Sequence, residues 1–206
     1  MRSLKPTRAR HERAVITGLV NSTSLDRDSG VVHSVQKADL VIEQGALAEM
    51  WTPAHLERLA RTYWRFLTRV TLGLVRVLYT EGERSVVLVA RPLKLLTFQA
   101  PEYEMDSTRG LVRWRIARGL LVSRRGRDDR GYLQIEVRRR AGEDPAHVRL
   151  HVEVEVANFY PSIASRLGRW LYRATQSPIH VFVTYGFLRS LARLDLAESK
   201  VGRFDP

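Results

Sequence analysis

A chain of 206 residues with 44% hydrophobic content fits one domain with a sizeable core, with room for an extension. The absence of cysteine excludes a disulfide framework, a thiol nucleophile and a Cys-ligated zinc. The net charge of +12 favours nucleic acid or anionic lipid as partners. Yet the basic residues are nearly all arginine, with lysine only at Lys5, Lys37, Lys94 and Lys200, and they are spread along the chain. Dispersed charge of this kind predicts a solvated basic surface, no specific nucleic-acid site, and only weak contact with an anionic membrane. No stretch approaches the ~18–20 apolar residues that span a bilayer. Residues 1–20 lack the apolar core of a secretory leader, so a soluble, cytoplasmic protein is expected.

Residues 1–30 are basic, then rich in Ser, Thr, Asn, Asp and Gly. Neither structural period is sustained there, which predicts a loosely ordered basic arm. Residues 31–35 and 39–43 are rich in Val and Ile and predict a strand, or two halves around a kink. Thr52 suits a helix N-cap and Pro53 a first turn. Leu56, Leu59, Ala60, Tyr63, Leu67 and Val70 then recur at helical spacing and make one apolar stripe. Strand patterns follow at 72–80, 85–90 and 93–99, with a short addition at 103–105. Residues 111–118 alternate, with Val112, Trp114 and Ile116 on one face. Residues 132–138 do the same through Leu133, Ile135 and Val137. Residues 147–156 alternate without a slip: Val148, Leu150, Val152, Val154 and Val156 face one side, and His147, Arg149, His151, Glu153 and Glu155 the other. Helical patterns at 162–175 and 178–194 follow, and 197–206 is a polar tail.

No catalytic motif stands out. The nucleophile elbow, P-loop, dinucleotide fingerprint and His-Glu-x-x-His pattern are all absent. His147 and His151 share a strand face but lie about 13 Å apart, too far to hold one ion on a straight strand. Glu153 and Glu155 lie about 7 Å apart, a spacing open to acid–base chemistry. Pairing with Arg113, Arg115 and Arg138 on adjacent strands explains them more simply. Residues 124–130 carry mixed charge and read as a hairpin tip. Neither a metal nor a cofactor is expected, and no catalytic residue is assigned.

The order strand, helix, antiparallel strands, closing helix resembles the helix-grip fold of the START-like (SRPBCC) superfamily, in an uncharacterised bacterial branch. The resemblance covers residues 31–196. It rests on that order, on Gly110–Ile116 with a bend at Gly119, and on the stretch from Phe159 Tyr160 Pro161 Ser162 Ile163 through Tyr172, Gln176 and the 182–191 helix. It implies an α+β fold in which a curved antiparallel sheet of six or seven strands wraps a C-terminal helix. It also implies a cavity between the two that receives apolar, lipid- or polyketide-like molecules. On that reading Trp114, Ile116, Val152, Val154, Phe182, Tyr185 and Gly186 line the cavity, and Arg189 meets an acidic head group at its mouth. Gly186 either lets the helix approach closely or leaves room for a ligand. Two other classes stay open: a cyclase- or dehydratase-type enzyme using the same cavity, and a basic module contacting nucleic acid or anionic membrane.

Overall fold

The unbroken alternation of residues 147–156 becomes the centre of a nine-stranded antiparallel sheet. The computed structural model describes residues 14–25, 31–80, 83–88, 93–119, 122, 131–159 and 186–187. Its strands are β1 (Ala14–Leu25), β2 (Val32–Glu43), β3 (Val75–Tyr79), β4 (Glu83–Leu88), β5 (Leu93–Gln99), β6 (Glu102–Met105), β7 (Arg109–Arg118), β8 (Tyr132–Ala141) and β9 (His147–Phe159). Two helices, α1 (Gln44–Met50) and α2 (Pro53–Val70), lie between β2 and β3. The strand order is β1-β2-β9-β8-β7-β5-β4-β3, and β6 joins the same edge of β7 as β5. The fold is therefore α+β with a large curved antiparallel sheet. Register shifts between β1 and β2, β2 and β9, β4 and β5, and β5 and β7 place extra residues on β1, β9, β5 and β7, and bulges bend strands.

β9 lies between β2 and β8, so its inward residues meet apolar neighbours on both sides. Val152 stands opposite Ala38 and Val137; Val154 stands opposite Gln36 and Ile135. Leu150, Val152 and Val154 are all buried. A sheet with one apolar face needs a cover. α2 provides it with Leu56, Leu59, Ala60, Tyr63 and Trp64, all buried, while Leu67 and Val70 pack at the margin. The helix starts where expected: Pro53 is in the first turn and Thr52 Oγ1 accepts the His55 N–H at 3.3 Å.

Two expectations are corrected, and the strand expected over 31–43 is settled as a single one. Residues 14–25, assigned from sequence to the loose arm, form β1, which pairs with β2 along its length. As an edge strand exposed at Val15, Leu19 and Val20, it has no buried face to impose alternation. The two halves 31–35 and 39–43 are one strand, because β9 pairs with both. β1 and the short β6 raise the sheet from six or seven strands to nine. α1 went unseen because it has seven residues and no side-chain cap. The bend at Gly119 is present: its φ is +151°, and a Cβ there would run into the Leu95 carbonyl.

The expected helices at 162–175 and 178–194 lie outside the described residues, apart from Gly186 and Phe187. These two are helical and pack on α2. The Phe187 ring sits 5.9 Å from that of Tyr63, and a Cβ on Gly186 would lie 2.6 Å from Phe66 Cδ1. Gly186 thus serves close approach. Alanine there gains roughly 1 kcal/mol of helix propensity but overpacks the site, which costs typically ~1–3 kcal/mol. Chemical denaturation should show Gly186→Ala to be destabilising in the native background. In a Phe66→Ala background the same change should become stabilising; the same sign in both would show that the Phe66 contact does not set the cost.

Candidate functional site

Trp114 and Ile116 on β7, and Val152 and Val154 on β9, all face inward and are buried in one core. Trp114 lies in a packed aromatic centre. The Trp64 ring stands 5.2 Å from Trp114, 5.4 Å from Phe98 and 5.4 Å from Tyr63. Burial pushes the Tyr63 hydroxyl pKa up. Gly186 lies against Phe66. Phe182, Tyr185 and Arg189 lie outside the described residues.

Among the described residues, an apolar open space lies under the N-terminal half of α2. A cleft of ≈ 70 Å³ lies there, floored by Leu40 and Ile42 of β2, Leu150 of β9, Val137 of β8, Gly110 of β7 and Met105 of β6. Its roof is Leu47 and Met50 of α1, the Trp51–Thr52 connection, and His55, Leu56 and Leu59 of α2. Trp114, Ile116, Val152 and Val154 do not border it. Gly110 keeps the floor low: a Cβ there would already reach Leu56 Cδ1 at 3.5 Å. Trp51 is fixed beside the roof. Its Nε1–H donates to the Asp106 carbonyl at 2.7 Å, and the Arg139 guanidinium lies over its ring at 5.5 Å. Asp106 is itself locked by the N–H groups of Thr108 and Arg109, at 2.6 and 2.8 Å.

His55 is the one titratable side chain among the described residues that line the cleft. Arg58 Nη1, a donor only, lies 3.3 Å from its Nε2, so Nε2 accepts. The ring proton then sits on Nδ1, 2.9 Å from Thr52 Oγ1. Burial first, then the charge of Arg58, lowers the His55 pKa. The imidazole is therefore neutral near pH 7.

The outer face of the sheet is a web of ion pairs. Lys37 holds Glu153 at 2.9 Å, and His33 Nε2 lies 2.8 Å from Glu155. Both partners come from β2. Arg113 and Arg115 pair elsewhere, because β8 separates β7 from β9: Arg113 donates to Gln134 and Arg115 to Glu102, while Arg138, on β8 itself, donates to Glu136. His151 Nδ1 contacts Asp39 at 2.7 Å and His147 Nδ1 contacts Asp144 at 2.9 Å. Among the described residues no cluster of three or more His, Asp or Glu is arranged to hold a metal ion. Nor is any described helix long and apolar enough to cross a membrane.

No family model matches the chain, and the comparison with curated proteins gives no significant match. Solved structures do resemble it. A conserved protein of unknown function from Enterococcus faecalis is 10% identical, with a TM-score of 0.35, covering 87% of this chain and 81% of that one. Human STARD10 is 12% identical, TM-score 0.34, covering 85% and 73%. A STAR-related lipid transfer protein from Xanthomonas axonopodis is 14% identical, TM-score 0.33, covering 84% and 98%.

The cleft residues were missed because most of them become neighbours only in three dimensions. One signal was available: a glycine inside a strand pattern, Gly110, marks close approach or space.

Glu136 gives the outer face a pH dependence. Burial pushes its carboxyl up, but hydrogen bonds from Arg138 and Arg109 and their charges outweigh this and hold it below the usual value of 4.5. A group lowered on folding stabilises above its unfolded pKa, and the contribution is lost as pH falls through the folded one. Glu136→Gln should cost about 1–3 kcal/mol at neutral pH and lose less stability than the native protein on acidification below 4.5. Parallel urea titrations of both proteins across that range check it.

Proposed function

We propose that the protein binds a small, uncharged apolar molecule, or the apolar end of a lipid- or polyketide-like one, in the cleft beneath α1 and α2. The supporting observation is an open space lined mainly by apolar side chains, whose one titratable neighbour among the described residues, His55, is held neutral. The volume of ≈ 70 Å³ is several times the ~10–15 Å³ that holds one water. Aliphatic walls give water few partners, and such cavities accept apolar guests. Acid–base catalysis needs a second poised group beside His55, and among the described residues lining the cleft His55 is joined only by Thr52, so the lining supports binding.

The test is uptake of an environment-sensitive apolar dye, with native mass spectrometry of the purified protein for a retained ligand. Gly110→Leu should fill the cleft. Its first added atom makes ordinary contact with Leu56 and the rest enters free space, so thermal stability should hold. Dye affinity should fall by about tenfold or more, equivalent to ~1.4 kcal/mol. Undiminished uptake by Gly110→Leu would sink the proposal.

A second outcome follows from His55. An apolar guest further desolvates the ring and disfavours its charged form. Affinity should therefore be constant above the ordinary histidine pKa of 6.5 and weaken below it, and His55→Gln should abolish that pH dependence. A pH-independent affinity in the native protein would remove His55 from the site.

A further inference from the structure

The connection from α2 to β3 presents apolar side chains to solvent. Leu72 is 90% exposed, Leu74 55% and Leu78 51%. Leu72 also has φ +51°, a conformation that bulky L-residues rarely adopt and that costs free energy. The turn is nonetheless firmly built. Thr71 Oγ1 donates to the Leu67 carbonyl at 2.9 Å and accepts the Val75 N–H at 3.2 Å. The N–H groups of Leu72, Gly73 and Leu74 bond to Arg69, Thr68 and Thr71 carbonyls at 3.0, 2.8 and 2.9 Å. A rigid frame thus holds a leucine outward in an unfavourable backbone state.

The charge around this tip has one sign. Residues 67–78 contain Arg69 and Arg76 and no acidic residue. Both arginines are exposed, and neither has a carboxylate partner among the described residues. Arg76 shares a face of β3 with Leu74 and Leu78, since alternate strand residues point the same way. Arg69, one turn back on α2, lies over the Phe66 ring at 5.9 Å. Leu72, 90% exposed, stands clear of its neighbours. A layer of anionic headgroups closes around it, with acyl chains below for the leucines and phosphates for the arginines.

We propose that the α2–β3 turn is a membrane-docking tip: Leu72 and Leu74 enter an anionic phospholipid bilayer while Arg69 and Arg76 engage its phosphates. This is independent of what occupies the cleft.

The experiment is co-sedimentation of the full chain with vesicles of phosphatidylglycerol and phosphatidylcholine in equal parts, and with vesicles of phosphatidylcholine alone. The native protein should bind the first, weaken as salt rises, and largely ignore the second. Removing an arginine near an anionic surface should cost about fivefold, so Arg69→Glu with Arg76→Glu should cost well over an order of magnitude. Leu72→Asn should cost roughly tenfold while leaving thermal stability unchanged or higher, because Asn tolerates positive φ. That combination separates a docking role from a structural one. The chain has no cysteine, so Leu74→Cys accepts a single environment-sensitive label. Its emission should shift to the blue with anionic vesicles, whereas a label at exposed Ser107→Cys should not shift. No binding to anionic vesicles, binding indifferent to these substitutions, or a Leu74 label that stays in water would each overturn the proposal. So would a concentration-dependent dimer abolished by Leu72→Asn, which would assign the tip to a second copy of the chain.

Discussion

The inner face of the sheet has to be covered, and most of the structure follows from how α2 covers it. The helix would be a poor one alone: Thr62, Tyr63, Trp64, Phe66, Thr68 and Val70 all have low helix propensity. Its Thr52 cap contributes about 1 kcal/mol. Each large side chain it buries contributes roughly 1.5–3 kcal/mol. Packing therefore decides where α2 lies, and Trp64 decides the packing, with ring contacts to Tyr63, Phe98 and Trp114. The cleft is the complement of that contact. Large rings fill the space beside Tyr63 and Trp64, while toward the N-terminus the helix offers leucines above a glycine floor and leaves a gap.

The outer face follows a different rule. It is polar, and its carboxylates Glu102, Glu136 and Glu153 are each paired with an arginine or lysine, while Glu155 and Asp39 meet histidines. Glu136 and Glu153 stand directly opposite each other on β8 and β9, an unfavourable arrangement taken alone. Arg109 and Arg138 on one side and Lys37 on the other offset it. Acidic pairs that resemble catalytic dyads by spacing are thus structural here. Part of the arginine excess is absorbed in this way. Arg69 and Arg76 have no carboxylate partner among the described residues, and they lie beside exposed leucines.

The central strands were legible because burial on one face writes alternation into a sequence. β7, β8 and β9 fall within a few residues of their expected limits for that reason, and α2 was legible from its cap and stripe. β1 was not, since an edge strand exposed at Val15, Leu19 and Val20 carries no such record. α1 is too short to show a period. The candidate site was the least legible part. Trp114, Ile116, Val152 and Val154 were correctly read as inward-facing, but alternation reports which face a residue occupies and not how far the opposite wall stands. That distance depends on side-chain volumes contributed by α1, α2 and five strands together. Only Gly110 carried a local hint.

α2 links the two surfaces for which functions are proposed. Its first turn roofs the cleft and its last turn leads into the exposed leucines. At a rise of 1.5 Å per residue its 18 residues set these ends about 27 Å apart. That is close to the ~30 Å hydrocarbon thickness of a bilayer. A helix standing upright on its C-terminal tip would hold the roof of the cleft well clear of the lipid. A helix lying along the surface would bring Trp51 and His55 to the headgroups together with Leu72. Extraction of a guest from a bilayer requires the second orientation, and delivery from solution tolerates either. The direction of α2 on a docked membrane therefore separates a carrier that loads from lipid from a binder that only anchors there.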